Sequence, residues 1–256
     1  MNYAARVVRK AVNTVNNLIE DRKVAKLFRG RPVYHVHVRK TAGTSINLSF
    51  FSNYTNEDPD AFYQQLVKKN NSRLISGDDI IVGWDQSRIS QGEFNYAFSH
   101  IPLHQLNLDS SVFKFTCLRD PVKRFVSHYN MLMYYKNHEP EHPVLRGEGQ
   151  WLGSSFDDFL NNVPTHHLKN QLHMFSSKLD HLEATDTVMQ LDHVMFTESL
   201  ATDLKELETK LSVQLPLLRS KSYGFKADIS EDSLDHLREI LDDEYTFIDE
   251  VKSRLV

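Results

Sequence analysis

The chain contains two apolar segments that each run into a polar turn opening a helix, and this repeated arrangement limits the fold more than any other feature. Residues 33–38 and 112–118 are rich in β-branched and aromatic side chains, which is typical of strands. A helix is expected from about Ala42 and another at Asp120-Pro121, because Asp suits an N-cap and Pro the first helical position. Strands that alternate with helices predict an α/β fold with a central parallel sheet flanked by helices.

The remaining segments are predicted to be helical or irregular. Residues 53–95 are polar and are expected to hold a helix near 61–69 and short strands. Residues 131–164 are rich in Pro, Gly and His and are expected to form an excursion from the core. Near the C-terminus, apolar residues at helical spacing predict one amphipathic helix. These residues are Leu234, Leu237, Leu241, Tyr245 and Ile248.

Length and composition indicate a single globular domain. The chain has 256 residues, of which 40% are hydrophobic and 25% charged, and this suits one domain at residues 32–256 preceded by an extension at 1–31. No segment approaches the roughly 18–20 apolar residues of a membrane span, and the start lacks the apolar core of a signal peptide. Cys117 is the only cysteine, which excludes an intrachain disulfide and a cysteine-based zinc site. These observations predict a cytoplasmic protein.

Residues 1–31 differ from the rest of the chain in charge. They carry eight Lys and Arg residues against Glu20 and Asp21, whereas the whole chain has a net charge of −4. Their apolar residues recur at helical spacing, which predicts a basic amphipathic helix. Such a helix is compatible with packing on its own domain, with contact to an anionic membrane surface and with binding a partner. Because the chain has no overall basic excess, nucleic acid is not an expected partner.

The first turn, residues 39–45, has the composition of a phosphate site. The N–H groups of a helix N-terminus favour an anion, Gly43 permits close backbone approach, and Lys40 adds a cation beside the hydroxyls of Thr44 and Ser45. A plain loop capped by Thr and Ser is an equally good interpretation of this turn alone. The turn is not a Walker A motif, and no strand ending in Asp offers a magnesium ligand, which argues against the usual metal-dependent nucleotide hydrolases.

The second turn offers a guanidinium and a hydroxyl. Arg119 stands at the carboxyl end of the second strand, and Ser127 lies about two helical turns further on. The pair is suited to holding one anion. Arg124 shares a helix face with Ser127, and a capping or ion-pairing role accounts for it equally well.

Together the two turns resemble the sulfotransferases that use 3′-phosphoadenosine-5′-phosphosulfate (PAPS), in particular carbohydrate sulfotransferases and their bacterial relatives. Residues 37–45, HVRKTAGTS, are similar to the 5′-phosphosulfate loop of that family, HIPKT[AG]GTS. Residues 118–129 are similar to its 3′-phosphate motif, LRDPxxRxxSxY. Weaker similarities occur at residues 98–102, 170–174 and 196–198, so the resemblance covers most of the chain.

The resemblance implies a P-loop-like three-layer fold that binds PAPS at the carboxyl ends of its strands, needs no metal and releases 3′-phosphoadenosine-5′-phosphate (PAP). The 3′-phosphate would meet Arg119 and Ser127, while Lys40 would follow the bridging oxygen as charge develops there. Arg39 and Ser99 depart from the family pattern, which has Pro and Gly at these positions. The 5′-phosphate would rest on the backbone and hydroxyls of Thr41, Ala42, Gly43, Thr44 and Ser45.

The proposed chemistry needs a base for the acceptor hydroxyl, and His100 is the expected one. An imidazole titrates near neutrality, and this residue follows the strand-like residues 96–98 and matches a Gly-His segment of the family. His104 and Glu93 are weaker candidates. His37 matches a family position that the resemblance implies to be structural.

The thirteen histidines do not predict a metal site. Residues 138–142, HEPEH, match the zinc-protease string HExxH, but Pro140 disrupts the continuous helix on which both histidines must lie. The other histidines show no ligand spacing.

The sequence therefore predicts a PAPS-dependent sulfotransferase with a hydroxyl acceptor. A carbohydrate is the expected acceptor class, and a lipid-like or small-molecule alcohol is the alternative. Residues 52–95 and 131–168 are expected on the acceptor side, since their Trp and Tyr residues suit stacking on sugars and equally suit local packing. A magnesium-dependent nucleotide kinase and a catalytically silent nucleotide-binding or scaffold protein are the two alternatives.

Overall fold

The computed structural model describes residues 31–56, 58–68, 71–77, 79–218 and 224–255. In this part of the chain, six strands form one sheet in the order β2-β3-β4-β1-β5-β6. All neighbouring strands are parallel except β2 and β3, which pair antiparallel at one edge, so the predicted parallel α/β sheet is confirmed. The helix predicted within residues 1–31 lies outside the described residues except for Arg31. The strands are β1 (Val33–Val36), β2 (Arg73–Ser76), β3 (Asp79–Gly83), β4 (Tyr96–Ser99), β5 (Phe113–Leu118) and β6 (His193–Phe196).

Helices cover both faces of this sheet. In the first half of the described chain they are α1 (Gly43–Phe51), α2 (Pro59–Lys68), α3 (Gln86–Gln91) and α4 (Pro121–His138). In the second half they are α5 (Pro143–Gly147), α6 (Phe156–Asn162), α7 (Thr165–Leu168), α8 (Asn170–Phe175), α9 (His181–Val188), α10 (Leu200–Leu211), α11 (Glu231–Ile240) and α12 (Asp242–Leu255). Short 3₁₀ turns occur at Leu103–Gln105 and Gly149–Trp151.

Two predicted boundaries are wrong. α4 continues to His138, so Met131 is a buried residue of that helix and not the start of an excursion. The apolar pattern near the C-terminus belongs to two helices, because the backbone leaves helical geometry at Leu241, where ψ is 12°. The helix near 61–69 and the helices that follow β1 and β5 form within two residues of their expected starts.

The alternation of side chains along β1 divides the core into two layers. Val33 packs with Ile46 and Phe50 of α1, whereas Tyr34 and Val36 point to the opposite face. Helices α1, α2 and α10 cover the first face, and α8, α9 and α12 cover the second. His35 and His37 share the face of Val33, so the strand register directs both imidazoles towards α1.

The segment after α4 forms a third cluster rather than an open excursion. Phe156, Phe159 and Leu160 of α6 are buried, and the ring centroids of Phe159 and Phe125 of α4 lie 5.0 Å apart. The apolar residues of α6 are spaced for one helix face, and that face closes on α4. The placement of residues 131–168 on an acceptor side stays a prediction.

A buried ion pair joins α4 to α12. Arg124 and Glu244 are both fully buried, with Nε and Oε2 3.9 Å apart. Arg124 also donates to the carbonyls of His167 and Leu168, while the carboxylate of Glu244 accepts the Gln171 N–H at 2.7 Å. Burial raises the pKa of Glu244, and the charge of Arg124 opposes that rise. The pair therefore fixes four helices behind the carboxyl end of β5.

We predict that Glu244→Gln destabilises the fold by about 3–5 kcal/mol, because it leaves the buried Arg124 charge without a counter-ion. Urea unfolding measures this difference. Asp235→Asn is the matched control, since Asp235 pairs with Arg238 on the surface, where such pairs contribute about 0–1 kcal/mol. Equal unfolding free energies for the two variants would contradict the structural role of the buried pair.

Candidate active site

A cavity of about 650 Å³ opens at the carboxyl ends of β1, β4 and β5. β1 lies between β4 and β5, so the loops that leave these strands diverge above it, as they do where open α/β sheets bind ligands. Residues from the turn after β1 that line it are His37, Arg39, Lys40, Ala42, Gly43, Thr44 and Ser45. The others are Tyr63, His100, Arg119, Ser127, Asn130, Met131, Thr197, Gly224, Phe225 and Lys226.

The turn after β1 has a strained backbone. Lys40 and Ala42 have φ values of 68° and 63°, in the left-handed region that non-glycine residues rarely adopt. Such residues cost about 1–3 kcal/mol each and are typical of functional sites. The hydroxyl of Thr41 donates to the Val38 carbonyl at 2.9 Å and so holds the turn from beneath. This conformation points the first turn of α1, with its N–H groups that lack intrahelical acceptors, into the cavity.

Gly43 is required by a contact within the protein. A Cβ atom at this position would lie 1.8 Å from Nε2 of His37, so the imidazole rests directly on the glycine Cα. The sequence suggested that Gly43 admits an anion to the backbone. The structure adds that the missing side chain leaves room for the His37 ring, which is 5% exposed and packs beneath the turn.

Arg119 is held by its backbone and its side chain. The side-chain amide of Gln171 accepts the Arg119 N–H at 2.8 Å and donates to the Arg119 carbonyl at 2.9 Å. The guanidinium donates from Nη1 to the Lys40 carbonyl at 3.0 Å. The two turns are therefore bonded to each other, which brings the side chains of Lys40, Arg119 and Ser127 to one cavity.

The amine of Lys40 lies in an unusual electrostatic environment. Burial, with the positive charges of Arg119 and Arg39, lowers the pKa of Lys40 to about 8. An anion bound among these cations opposes the shift, because it stabilises the charged ammonium. Binding of an anion in this cavity is therefore electrostatically favourable.

His100 is oriented by the strand next to it in the sheet. Its Nδ1–H donates to the His37 carbonyl at 2.6 Å, which leaves Nε2 as the proton-accepting nitrogen. The hydroxyl of Ser99 accepts the Ile101 N–H at 3.1 Å and lies 2.7 Å from the Tyr34 hydroxyl, so it fixes the turn around His100. Burial and then the charge of Arg39 lower the pKa of His100 to about 3, and the ring is neutral at pH 7.

Arg39 and Glu148 form an ion pair at the edge of the cavity. Nη1 of Arg39 donates to Oε1 of Glu148, and Nε2–H of the buried His128 donates to Oε2 at 2.7 Å. Burial alone would raise the pKa of Glu148, but the hydrogen bond from His128 and the charge of Arg39 outweigh it and lower the pKa to about 2. The carboxylate is therefore ionised throughout the neutral range.

Comparison with known proteins assigns the family. The profile of the sulfotransferase family matches residues 29–246, which is most of the chain. The chain belongs to the sulfotransferase family. The resemblance of its two turns to sulfotransferase motifs is thereby confirmed. No curated protein sequence gives a match.

Solved structures similar to this family member include two that contain PAP. One is mouse sulfotransferase SULT7A1 complexed with PAP, at 11% identity and a TM-score of 0.41. Another is retinol dehydratase in complex with androsterone and inactive cofactor PAP, at 15% identity and a TM-score of 0.37. Both alignments cover 82% of this chain, which spans 63% and 64% of those two chains, less than two thirds of either.

The structure brings most of the predicted site residues of this sulfotransferase-family chain to one cavity. Thr41 is the exception, since its side chain is fully buried under the turn and only its backbone stays near the predicted anion position. The weaker base candidates, His104 and Glu93, are exposed and do not line the cavity. His37, which was expected to be structural, also lines the cavity. The predicted site residues that line it are Lys40, Ala42, Gly43, Thr44, Ser45, His100, Arg119 and Ser127.

Sequence reasoning missed part of the wall. Tyr63, Asn130, Thr197 and Lys226 line the cavity from four separate segments. Thr197 belongs to a segment that resembles the family, but no local signal marked its side chain as functional. What these four residues share is their closeness to the two turns in space, and that closeness is a tertiary property.

Two other sequence predictions concern metals and membranes. His138 ends α4, and His142 caps the separate helix α5, so the HEPEH string is not one helix. Within the described ranges, no group of three or more His, Cys, Asp or Glu side chains is arranged to hold a metal ion. No helix in the described part of the chain combines the length and hydropathy needed to cross a membrane. The cellular location stays a prediction.

We predict that Gly43→Ala destabilises the protein by about 1–3 kcal/mol, because the added methyl group overlaps the His37 ring and must displace it. Urea unfolding and the imidazole NMR signals of His37 measure the two effects. Gly147→Ala in α5 is the control, since a Cβ there meets nothing within 4 Å. Wild-type stability with unshifted His37 signals in Gly43→Ala would overturn this account of the turn.

Proposed function

We propose that the protein transfers a sulfuryl group from PAPS to an acceptor hydroxyl, with Lys40 and His100 as catalytic residues. The observation that carries the proposal is the convergence of Lys40, Arg119 and His100 on one cavity in a chain of the sulfotransferase family. These residues come from the turns after β1, β5 and β4. Lys40 would serve the 5′-phosphosulfate end of the donor, Arg119 the 3′-phosphate end, and His100 would be the base.

The cavity fits the donor in size and charge. About 650 Å³ lies within the range of roughly 300–1,000 Å³ of small-molecule sites. The first turn of α1, with the hydroxyls of Thr44 and Ser45, would hold the 5′-phosphate on backbone N–H groups. Arg119 and Ser127 would hold the 3′-phosphate. The guanidinium of Arg119 links the two phosphate subsites, because it also donates to the Lys40 carbonyl in the first turn.

PAPS, when bound, supplies the sulfuryl group and PAP as its leaving group. His100 accepts the acceptor's hydroxyl proton at Nε2 as the oxygen attacks sulfur, and the bond from sulfur to the 5′-phosphate oxygen breaks. Lys40 donates a hydrogen bond to that oxygen as it becomes negative. The anionic donor raises the pKa of the neighbouring imidazole and strengthens it as a base. The carbonyl of His37 stabilises the imidazolium that forms.

A carbohydrate is the acceptor class that we propose. Tyr63 lines the cavity, and its ring centroid lies 6.2 Å from that of Trp84. Trp84 is 37% exposed and has a φ of 56° at the carboxyl end of β3, an uncommon conformation for a bulky residue. An exposed indole beside a tyrosine suits the flat apolar face of a sugar ring.

Thermal unfolding with PAP and with ADP-magnesium tests the donor. PAP at about 100 times its dissociation constant should add roughly 2.7 kcal/mol to the free energy of unfolding. ADP-magnesium should add much less, because it lacks the 3′-phosphate for Arg119. Stabilisation by ADP-magnesium but not by PAP would reject the proposal in favour of a nucleotide kinase.

Arg119→Ala should weaken PAP binding about tenfold or more, because it removes a charge-assisted hydrogen bond to phosphate and a bond to the first turn. Calorimetric titration with PAP measures the loss. Arg88→Ala is the control, since Arg88 pairs with Asp85 and does not line the cavity. An unchanged affinity in Arg119→Ala would remove this residue from the donor site.

His100→Ala should lower transfer by about 10²- to 10⁴-fold and leave PAP affinity nearly unchanged, because a base acts only on the acceptor hydroxyl. Transfer of labelled sulfate from PAPS to a panel of neutral and N-acetylated saccharides measures the rate. His104→Ala, an exposed histidine outside the cavity, should transfer at the wild-type rate. Loss of PAP binding in His100→Ala would contradict its assignment as the base.

A further inference from the structure

Arg39 brings a third cation to the end of the cavity where transfer would occur. It precedes Lys40 in the turn and lines the same cavity as His100. Its backbone N–H donates to Oδ1 of Asn170 at 3.2 Å, and its side chain is 22% exposed. The sulfotransferase motif that this turn resembles has Pro at this position, so its side chain has no counterpart in the motif.

The guanidinium has a fixed position. Glu148 accepts from Nη1 of Arg39 through one carboxylate oxygen and from His128 through the other. His128 is 1% exposed and its ring lies against Phe159, so the third cluster of the core anchors the carboxylate. The positively charged end of Arg39 is therefore held at the cavity edge, with its other N–H donors available to a ligand.

We propose that Arg39 binds the non-bridging oxygens of the sulfuryl group and so distinguishes PAPS from PAP, with Glu148 and His128 as its positioning residues. The inference rests on the proposed function. In-line transfer places sulfur between the leaving oxygen, near Lys40, and the attacking oxygen, near His100. A cation beside both residues faces the sulfuryl oxygens, and a planar guanidinium can hold two of them at once.

The charge distribution supports this placement. The positive charge of Arg39 contributes to the lowered pKa of both Lys40 and His100, so its field reaches both ends of the transfer path. Glu148 is ionised without ligand and offsets part of this field at Lys40 and His100.

Calorimetric titration of Arg39→Met with PAPS and with PAP tests the inference. PAPS affinity should fall about tenfold, as expected for losing a charge-assisted hydrogen bond, whereas PAP affinity should change less than about threefold. The readout is the ratio of the two dissociation constants, because general loss of positive charge or of stability affects both ligands alike. Arg88→Met, which removes an arginine outside the cavity, should keep the wild-type ratio.

Two further variants separate contact from positioning. Arg39→Lys keeps a cation but not the planar fork, and should lower the preference for PAPS by a smaller factor than Arg39→Met. Glu148→Gln removes the charge that holds the guanidinium, and should also reduce the preference. If Arg39→Met does not fold, Arg39→Lys and Glu148→Gln still decide the matter, because both keep polar groups at the same positions.

The outcomes distinguish this inference from the proposed function. Wild-type protein that binds neither PAPS nor PAP would overturn both. The role of Arg39 alone would be overturned if the wild-type protein binds both ligands and Arg39→Met, Arg39→Lys and Glu148→Gln all keep the wild-type ratio of dissociation constants. A proportional loss of PAPS and PAP affinity would also overturn it, since that result places Arg39 on the phosphates that the two ligands share.

Discussion

The site depends on the packing of His37 against Gly43. The imidazole occupies the space that a Cβ would fill, so the turn after β1 closes over the ring and α1 starts at a fixed angle. The same residue accepts the Nδ1–H of His100 through its carbonyl and donates its own N–H to Ser99 at 3.1 Å. One residue therefore couples the turn after β1 to His100, which is the proposed base and follows the neighbouring strand.

A second, deeper support holds the other turn. The buried pair of Arg124 and Glu244 ties α4 to α12, and Glu244 in turn bonds the backbone of α8, whose Gln171 brackets Arg119. Arg124 belongs to the motif that resembles a 3′-phosphate site, yet it is fully buried and contacts helix carbonyls. In this protein the motif thus combines two tasks, since Arg119 faces the cavity and Arg124 holds the helix behind it.

Much of the fold followed from local pattern, and much of the site from two short motifs. Apolar strands and the Asp120-Pro121 start predict β1, β5 and α4 because those signals lie within a few residues of each other. The ion pair of Arg39 with Glu148 was not predictable, because the partners are 109 residues apart and neither position is marked by its neighbours. The break at Leu241 was missed for a different reason: the helical spacing of apolar residues continues unchanged from one helix into the next.

Local sequence was enough to predict the class of fold, the family motifs and the residue types of the candidate site. These properties reside in short stretches whose backbone preferences and side-chain chemistry act locally. The cavity that those residues share, the need for Gly43 to lack a side chain and the inward turn of the Thr41 hydroxyl follow from contacts that exist only in the folded chain. Such outcomes depend on the register of β1 between β4 and β5, which sets distances between residues far apart in the chain.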